Sequence, residues 1–182
     1  MSFYYMAALA AKKGQFETAL EHIDRSLVKN AHNIKARGLR AWLLAKLGKE
    51  KAAACMIKDN LELDPFDFVS GFEVIKAEND SEKKQKMLDD LNGLMRNFQE
   101  NYLMTARDFA QWGAYEDAVL VLKQCTKKYP MLYYYAAYYE EKMGEDEAAK
   151  KSLEKAESCA FDYCFPNKLD DIAVLTFAIE NG

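Results

Sequence analysis

The sequence has 182 residues, of which 50% are hydrophobic and 30% charged, with three prolines and eight glycines. This composition is typical of an ordered, helix-rich chain. The net charge is −4 and basic residues alternate with acidic ones, so we expect no binding to nucleic acid. No apolar run reaches about 18 residues, and the first residues lack the basic front of a signal peptide, so we expect neither a membrane span nor a leader.

The N-terminal third of the chain is predicted to form two helix pairs, at about residues 2–32 and 33–65. In the first pair, one helix extends from about Ser2 to Lys13 and the next from about Phe16 to Lys29. The two pairs repeat each other at a spacing of 34 residues. That spacing separates five pairs of identical residues: Ala7 and Ala41, Gly14 and Gly48, Ala19 and Ala53, Ile23 and Ile57, Leu27 and Leu61. A fixed period of this length predicts stacked helix–turn–helix units.

The repeat is weaker between residues 66 and 98, where we expect one degenerate unit instead of a linker. Phe68 and Phe72 mark one helix face, Asn79 and Asp80 replace the turn glycine, and Ser81 is predicted to cap a second helix. The apolar face of that second helix is predicted to contain Met87, Leu88, Leu91, Leu94 and Phe98. The repeat then returns at about residues 99–129 and 130–160, with turn glycines Gly113 and Gly144.

A final helix is predicted at residues 167–180, after Pro166, with Asn167 as its cap. It has two apolar stripes: Leu169, Ile172, Leu175 and Ile179 on one, and Val174, Phe177 and Ala178 on the other. Such a helix needs neighbours on two sides, and this chain offers only one. We therefore expect a terminal cap with exposed apolar residues, a piece of a longer array, or dimerisation through this helix.

The sequence has small residues at fixed places in each helix pair and glycine at the turn. In this pattern it resembles the tetratricopeptide repeat family. The small contact positions are Ala7, Ala19 and Ser26, then Ala41, Ala53 and Asn60, then Ala106, Ala118 and Cys125, and finally Ala137, Ala149 and Ala156. Small side chains let two helix backbones approach, and glycine adopts the left-handed conformation that commonly ends a helix. The resemblance implies one all-α domain over residues 1–182, a right-handed α-solenoid of about five helix hairpins plus the final helix.

In this family the first helices of the units line a concave side that binds peptides. The family's groove positions fall here on Tyr4, Trp42, Leu103, Arg107, Tyr134 and Tyr138. The Lys and Asn with which some members hold a C-terminal carboxylate do not occupy these positions. The resemblance therefore implies an exposed aromatic groove for a protein or peptide segment, or for another domain of the same polypeptide.

The C-terminal segment CFPNKLDDIAVLTFAIENG supports an alternative function. It is similar to the repeat tract that follows the predicted carbohydrate-active domain in some large bacterial proteins, and it covers about 20 residues. Because aromatic faces also stack on sugar rings, the alternative is an accessory helical segment of a larger carbohydrate-active enzyme.

Catalytic and metal-binding patterns are weak. His22 and His32 have no Cys, Asp or Glu at ligand spacing, and the paired acids Asp170 and Asp171 point about 100° apart on a helix. The four cysteines have no metal or redox spacing, so we interpret them as small residues in a reducing compartment and expect a cytoplasmic protein. The sequence has no phosphate-binding glycine loop or nucleophile elbow. We predict a protein that is not an enzyme and has no cofactor or metal.

Overall fold

The computed structural model describes residues 2–161 and 164–182, and this part of the chain contains helices and no strands. The predicted all-α helical-repeat class is confirmed. The eleven described helices are α1 Phe3–Lys12, α2 Phe16–Lys29, α3 Ile34–Lys46, α4 Glu50–Leu63, α5 Phe68–Ala77, α6 Ser81–Met95, α7 Gln99–Gln111, α8 Tyr115–Leu122, α9 Pro130–Lys142, α10 Asp146–Glu157 and α11 Leu169–Asn181. None of these helices is long and apolar enough to cross a membrane.

The helices divide into two compact units. Unit 1 is Met1–Met95 together with Gln111–Gly113, and unit 2 is Arg96–Ala110 together with Ala114–Gly182. In unit 1, α1 packs against α2, α3 against α4 and α4 against α5. In unit 2, α9 packs against α8, α10 and α11. Each unit therefore buries its apolar surface between neighbouring helices, as repeat proteins do.

Four glycines end the first helices of their pairs in the left-handed conformation, as the sequence predicts. Their φ values are 73° at Gly14, 71° at Gly48, 83° at Gly113 and 77° at Gly144. In all four turns, the amide after the glycine donates to the carbonyl four residues before the glycine, at 2.9 to 3.0 Å. This bond satisfies a carbonyl that the end of the helix would leave unpaired.

The small residues predicted at the helix contacts are buried, except Ser26, which is partly exposed. The buried ones include the alanines of the first helices and of the second helices: Ala7, Ala41, Ala106, Ala137, Ala19, Ala53, Ala118 and Ala149. Because a methyl side chain occupies little space, these positions allow close approach of paired helices. The polar residue Asn60 is also buried at one of these positions.

The degenerate unit forms two helices, α5 and α6, but two details of its prediction are wrong. The carboxylate of Asp80 accepts hydrogen bonds from the amides of Glu82 and Lys83 at 3.0 and 3.1 Å, so Asp80 and not Ser81 caps α6. Leu94 and Phe98 are exposed, although both were predicted on the buried face.

The buried residues of α6 are Leu91 and Met95, which are four positions apart and therefore share a face. Arg96 and Asn97 have positive φ values of 55° and 48°, which end the helical path before Phe98 and remove it from that face. Leu91 packs so closely on α5 that its Cδ1 lies 2.9 Å from the place of a Cβ on Gly71. Leu91 of α6 therefore packs into the space that the missing side chain of Gly71 leaves on α5.

The last helix also begins slightly differently from its prediction. It extends over Leu169–Asn181, and Lys168, not Asn167, holds the cap position. The carboxylate of Asp171 accepts hydrogen bonds from the amides of Asn167 and Lys168, each at 2.8 Å. An acid in the first turn satisfies these unpaired donors and suits the positive end of the helix dipole.

Candidate interaction surface

The predicted groove residues of unit 1 are covered by a residue of the same unit. Trp42 is only 3% exposed and Tyr4 is buried, so the prediction that they are exposed is wrong. The indole Nε1 of Trp112 donates to the hydroxyl of Tyr4 at 3.3 Å, and its ring lies 5.9 Å from that of Trp42. On its other side, Trp42 meets Phe16 edge-on at 5.8 Å. An aromatic side chain of the chain itself therefore covers Tyr4 and Trp42, two of the residues predicted to line the groove.

The predicted groove residues on α7 are also internal. Leu103 and Arg107 are buried, which contradicts their predicted exposure. The guanidinium of Arg107 donates from Nε to the hydroxyl of Tyr135 at 3.0 Å and from Nη2 to the Asp171 carboxylate at 3.3 Å. Tyr135 in turn donates to Asp171 at 2.6 Å. These three side chains form a network, called here the anchor network, that joins α7, α9 and α11.

The electrostatics of the anchor network follow from burial and hydrogen bonding. Burial raises the pKa of Tyr135, and the hydrogen bond to Asp171 raises it further because it favours the neutral phenol. For Asp171, burial alone would raise the pKa, but hydrogen bonds from Tyr135, Lys168 and Asn167 and the charge of Arg107 together lower it. Asp171 is therefore ionised and held as the acceptor that fixes the start of α11.

Tyr134 and Tyr138 on α9 are the predicted groove residues that remain partly accessible. Both are half-buried and lie one turn apart. Phe177 of α11 packs edge-on against Tyr138, with ring centroids 5.7 Å apart. The ammonium of Lys142 lies 4.9 Å from the centre of the Tyr138 ring and makes a cation–π contact with it. We call Tyr134, Tyr138 and Phe177 the α9 aromatic surface.

Two further buried polar sets also join helices. Glu140 on α9 accepts a hydrogen bond from the Ser152 hydroxyl at 2.6 Å and pairs with the Lys123 ammonium at 2.9 Å. In unit 1, the Asn60 side chain accepts from Nε of Arg37 at 2.7 Å and donates to the Ser70 hydroxyl at 3.1 Å. In each set, hydrogen bonds from neighbouring helices satisfy the buried polar atoms. Such residues stabilise the packing of the helices.

The sequence offered one signal for Trp112 and none for the anchor network. The residue before the turn glycine is Lys13, Leu47 or Met143 in the other units. Trp112 differs from them in being a large aromatic residue, and this difference could have indicated a side chain that packs against other helices. The members of the anchor network lie on three different helices, so no local pattern brings Arg107 and Asp171 together.

Unit 1 contains an open apolar cavity of about 510 Å³ between α4 and α5 that the sequence did not indicate. Its walls are Ala54, Ile57, Lys58, Leu61 and Glu62 from α4, and Glu73, Val74 and Ala77 from α5. The charges at its rim are paired, because Lys58 pairs with Glu62 and Lys76 with Glu73. Residues 2–161 and 164–182 contain no group of three or more His, Cys, Asp or Glu side chains placed to hold a metal.

No protein-family model matches the chain, and no curated protein matches its sequence. Among solved structures, it is similar to a tetratricopeptide repeat protein from Parabacteroides merdae, with a TM-score of 0.49 and 18% identity over 97% of this chain and 70% of that one. It is also similar to a thermophilic TPR protein of Thermus thermophilus, with a TM-score of 0.47 and 17% identity over 98% and 96% of the two chains. MamA from Desulfovibrio magneticus gives a TM-score of 0.43 and 11% identity over 86% and 92%.

The chain's own repeat, glycine turns and alanine contacts define it as an all-α helical-repeat protein. The solved structures similar to it include tetratricopeptide repeat proteins, which is the family that the sequence resembles.

Proposed function

We propose that this chain is a non-catalytic scaffold for protein partners, and that it binds an apolar peptide segment or a neighbouring domain at the α9 aromatic surface. The observation that supports the proposal is that Tyr134 and Tyr138 are both partly accessible and lie one turn apart on α9, with Phe177 packed against Tyr138. Tyrosines held in place by packing lose little conformational freedom on binding, and aromatic residues are frequent energetic centres of interfaces.

The proposed surface is smaller than the groove predicted from the sequence. Tyr4, Trp42, Leu103 and Arg107 are left out because they are buried, and a partner would have to displace Trp112 or the anchor network to reach them. Lys142 lies beside Tyr138 but is paired with Glu141 at 3.0 Å, so the apolar faces of the tyrosines and not a charge would select the partner.

Selection of random peptides displayed on phage against the immobilised chain tests this proposal. Selected peptides are then titrated by calorimetry against the wild type and the variants Tyr134→Ala and Tyr138→Ala. We expect at least about tenfold weaker binding for each variant, because truncating an aromatic centre removes a large part of the contact. Tyr5→Ala is the matched control, since Tyr5 is an exposed tyrosine on α1 outside the proposed surface.

Two results would contradict the proposal. If the selection enriches no peptide, the chain is not a peptide-binding scaffold. If peptides bind all the variants equally, the partner uses a different surface. Circular dichroism of each variant separates lost binding from lost folding.

The alternative, an accessory segment of a larger carbohydrate-active enzyme, is favoured by the similarity of residues 164–182 to such tracts and by the accessible faces of the two tyrosines. A catalytic domain encoded upstream in the same reading frame, with binding of oligosaccharides that Tyr138→Ala abolishes, would support it. Binding to peptides without binding to oligosaccharides would favour the scaffold.

A further inference from the structure

The apolar cavity between α4 and α5 lies at a helix junction that has a counterpart earlier in the repeat. The helices α4 and α5 begin at Glu50 and Phe68, and α2 and α3 begin 34 residues earlier, at Phe16 and Ile34. Because both pairs of helices start in the same frame, each residue that lines the cavity has an equivalent between α2 and α3. We call the place between α2 and α3 the first junction and the place between α4 and α5 the second junction.

The second junction has small side chains where the first junction has large ones. Ala54 and Ala77 line the cavity, and their equivalents in the first junction are Leu20 and Leu43. Leu43 is buried and Leu20 partly buried, whereas Ala54 and Ala77 are exposed. Two methyl groups thus replace two isobutyl groups, and the space that this difference leaves is open to solvent.

The second junction also lacks an ion pair that crosses the first junction. There, Nε of Arg40 on α3 pairs with the carboxylate of Asp24 on α2 at 2.6 Å. Val74 stands at the position of Arg40 and has no charge. Lys58 stands at the position of Asp24, and it pairs with Glu62 of its own helix at 3.8 Å. The charged bridge of the first junction therefore has no counterpart at these two positions, which is why the second junction stays open.

The side chains around the cavity define the chemistry of its ligand. Five of the eight lining residues given above are aliphatic. The other three are charged and each is in an ion pair, Lys58 with Glu62 and Glu73 with Lys76 at 2.9 Å. A ligand inside the cavity would therefore meet mainly methyl and methylene groups. The volume of about 510 Å³ lies within the range of small-molecule sites, about 300 to 1,000 Å³.

We propose that the cavity of the second junction binds a neutral aliphatic small molecule. Its hydrocarbon chain occupies the space that corresponds to the Leu20 and Leu43 side chains of the first junction. Removal of apolar surface from water drives this binding. The cavity is preformed between two packed helices, so binding requires little ordering of the chain. For a ligand of about nine non-hydrogen atoms, we expect a dissociation constant on the order of 0.1 mM.

Titration of the isotope-labelled chain with octan-1-ol, followed by methyl NMR spectra, tests the proposal. The methyl signals of Ile57, Leu61 and Val74 should shift and saturate with one dissociation constant. Ala54→Leu restores the leucine of the first junction, so it should weaken octanol binding at least about tenfold. It should not lower the melting temperature, because the new side chain fills open space. Ala52→Leu is the matched control, since Ala52 is an exposed alanine on α4 outside the cavity, and it should bind octanol like the wild type.

A second variant closes the cavity in a different way. Lys58→Asp combined with Val74→Arg rebuilds the ion pair of the first junction across the second, so it should also weaken octanol binding in a chain that circular dichroism shows to be folded. The proposal is overturned if octanol gives no saturable shifts, or if a folded Ala54→Leu variant binds octanol as tightly as the wild type. It is also overturned if octanol does not bind and Ala54→Leu abolishes binding of the selected peptides, which would assign the cavity to a side chain of a protein partner. The α9 aromatic surface belongs to unit 2, and Tyr138→Ala tests it separately.

Discussion

Replacing Asp171 by Asn removes the charge at the centre of the anchor network while it keeps the shape of the side chain. Asp171 is 2% exposed and accepts hydrogen bonds from the Tyr135 hydroxyl, the Arg107 guanidinium and two backbone amides. The substitution removes the nearer of two carboxylates that pair with Arg107, Asp171 at 3.3 Å, and leaves Glu100 at 4.0 Å. We expect a loss of about 2 to 4 kcal/mol in the free energy of unfolding, because the Tyr135 hydroxyl and two backbone amides lose their ionised acceptor and the buried Arg107 keeps only the more distant Glu100.

The matched control is Asp170→Asn, since Asp170 is the exposed neighbour in the same helical turn. Urea unfolding followed by circular dichroism gives the free energies, and hydrogen exchange shows whether the amides of α11 lose protection first. If both substitutions change the unfolding free energy equally, the anchor network does not hold α11.

The pH dependence of the unfolding free energy gives a second test of the role of Asp171. The pKa of Asp171 is lowered in the folded chain, so its contribution to stability is fully present above the pKa of the unfolded carboxyl, about 4, and is lost as the pH falls through the folded value. The difference in unfolding free energy between the wild type and Asp171→Asn should therefore shrink on acidification below about pH 4. A difference that stays constant down to pH 2 would contradict the assignment.

Two further predictions concern the repeat itself and are measured by thermal or urea unfolding. Gly113→Ala should destabilise the protein more than Gly144→Ala. Both glycines have positive φ, but a Cβ on Gly113 would lie 3.1 Å from the backbone of Lys12, whereas a Cβ on Gly144 would have open space. Equal losses of stability would contradict the close approach of Gly113 to Lys12. Ala118→Leu should cost about 1 to 3 kcal/mol by overpacking a buried helix contact, whereas Lys51→Leu on an exposed position should cost little.

The parts of the fold that the sequence predicts well are those that depend on local chemistry. The turns at Gly14 and Gly48 need a left-handed residue, and the buried Ala19 and Ala53 need a small one, so each requirement appears directly in the residue types. The sequence period then places the helices within a residue or two. The end of α6 was harder to predict because the positive φ values of Arg96 and Asn97 have no strong signature in the residue types.

The candidate site was predicted less well, because it depends on contacts between distant residues. Trp112 covers Tyr4, which is 108 positions away in the sequence, and Asp171 holds Arg107 across 64 positions. The resemblance assigns the groove residues to the first helices, but it gives no sign that Trp112 covers Tyr4 and Trp42.

Tryptophan fluorescence reports directly on whether Trp112 fills the predicted groove of unit 1. The chain has two tryptophans, Trp42 and Trp112, and they are 3% and 1% exposed. We predict a blue-shifted emission that acrylamide and iodide quench poorly in the wild type. In a folded Trp112→Ala variant, we predict a red-shifted, readily quenched emission from Trp42. A wild-type emission typical of water-exposed indole, or a Trp42 signal that does not change when Trp112 is removed, would show that the groove is open.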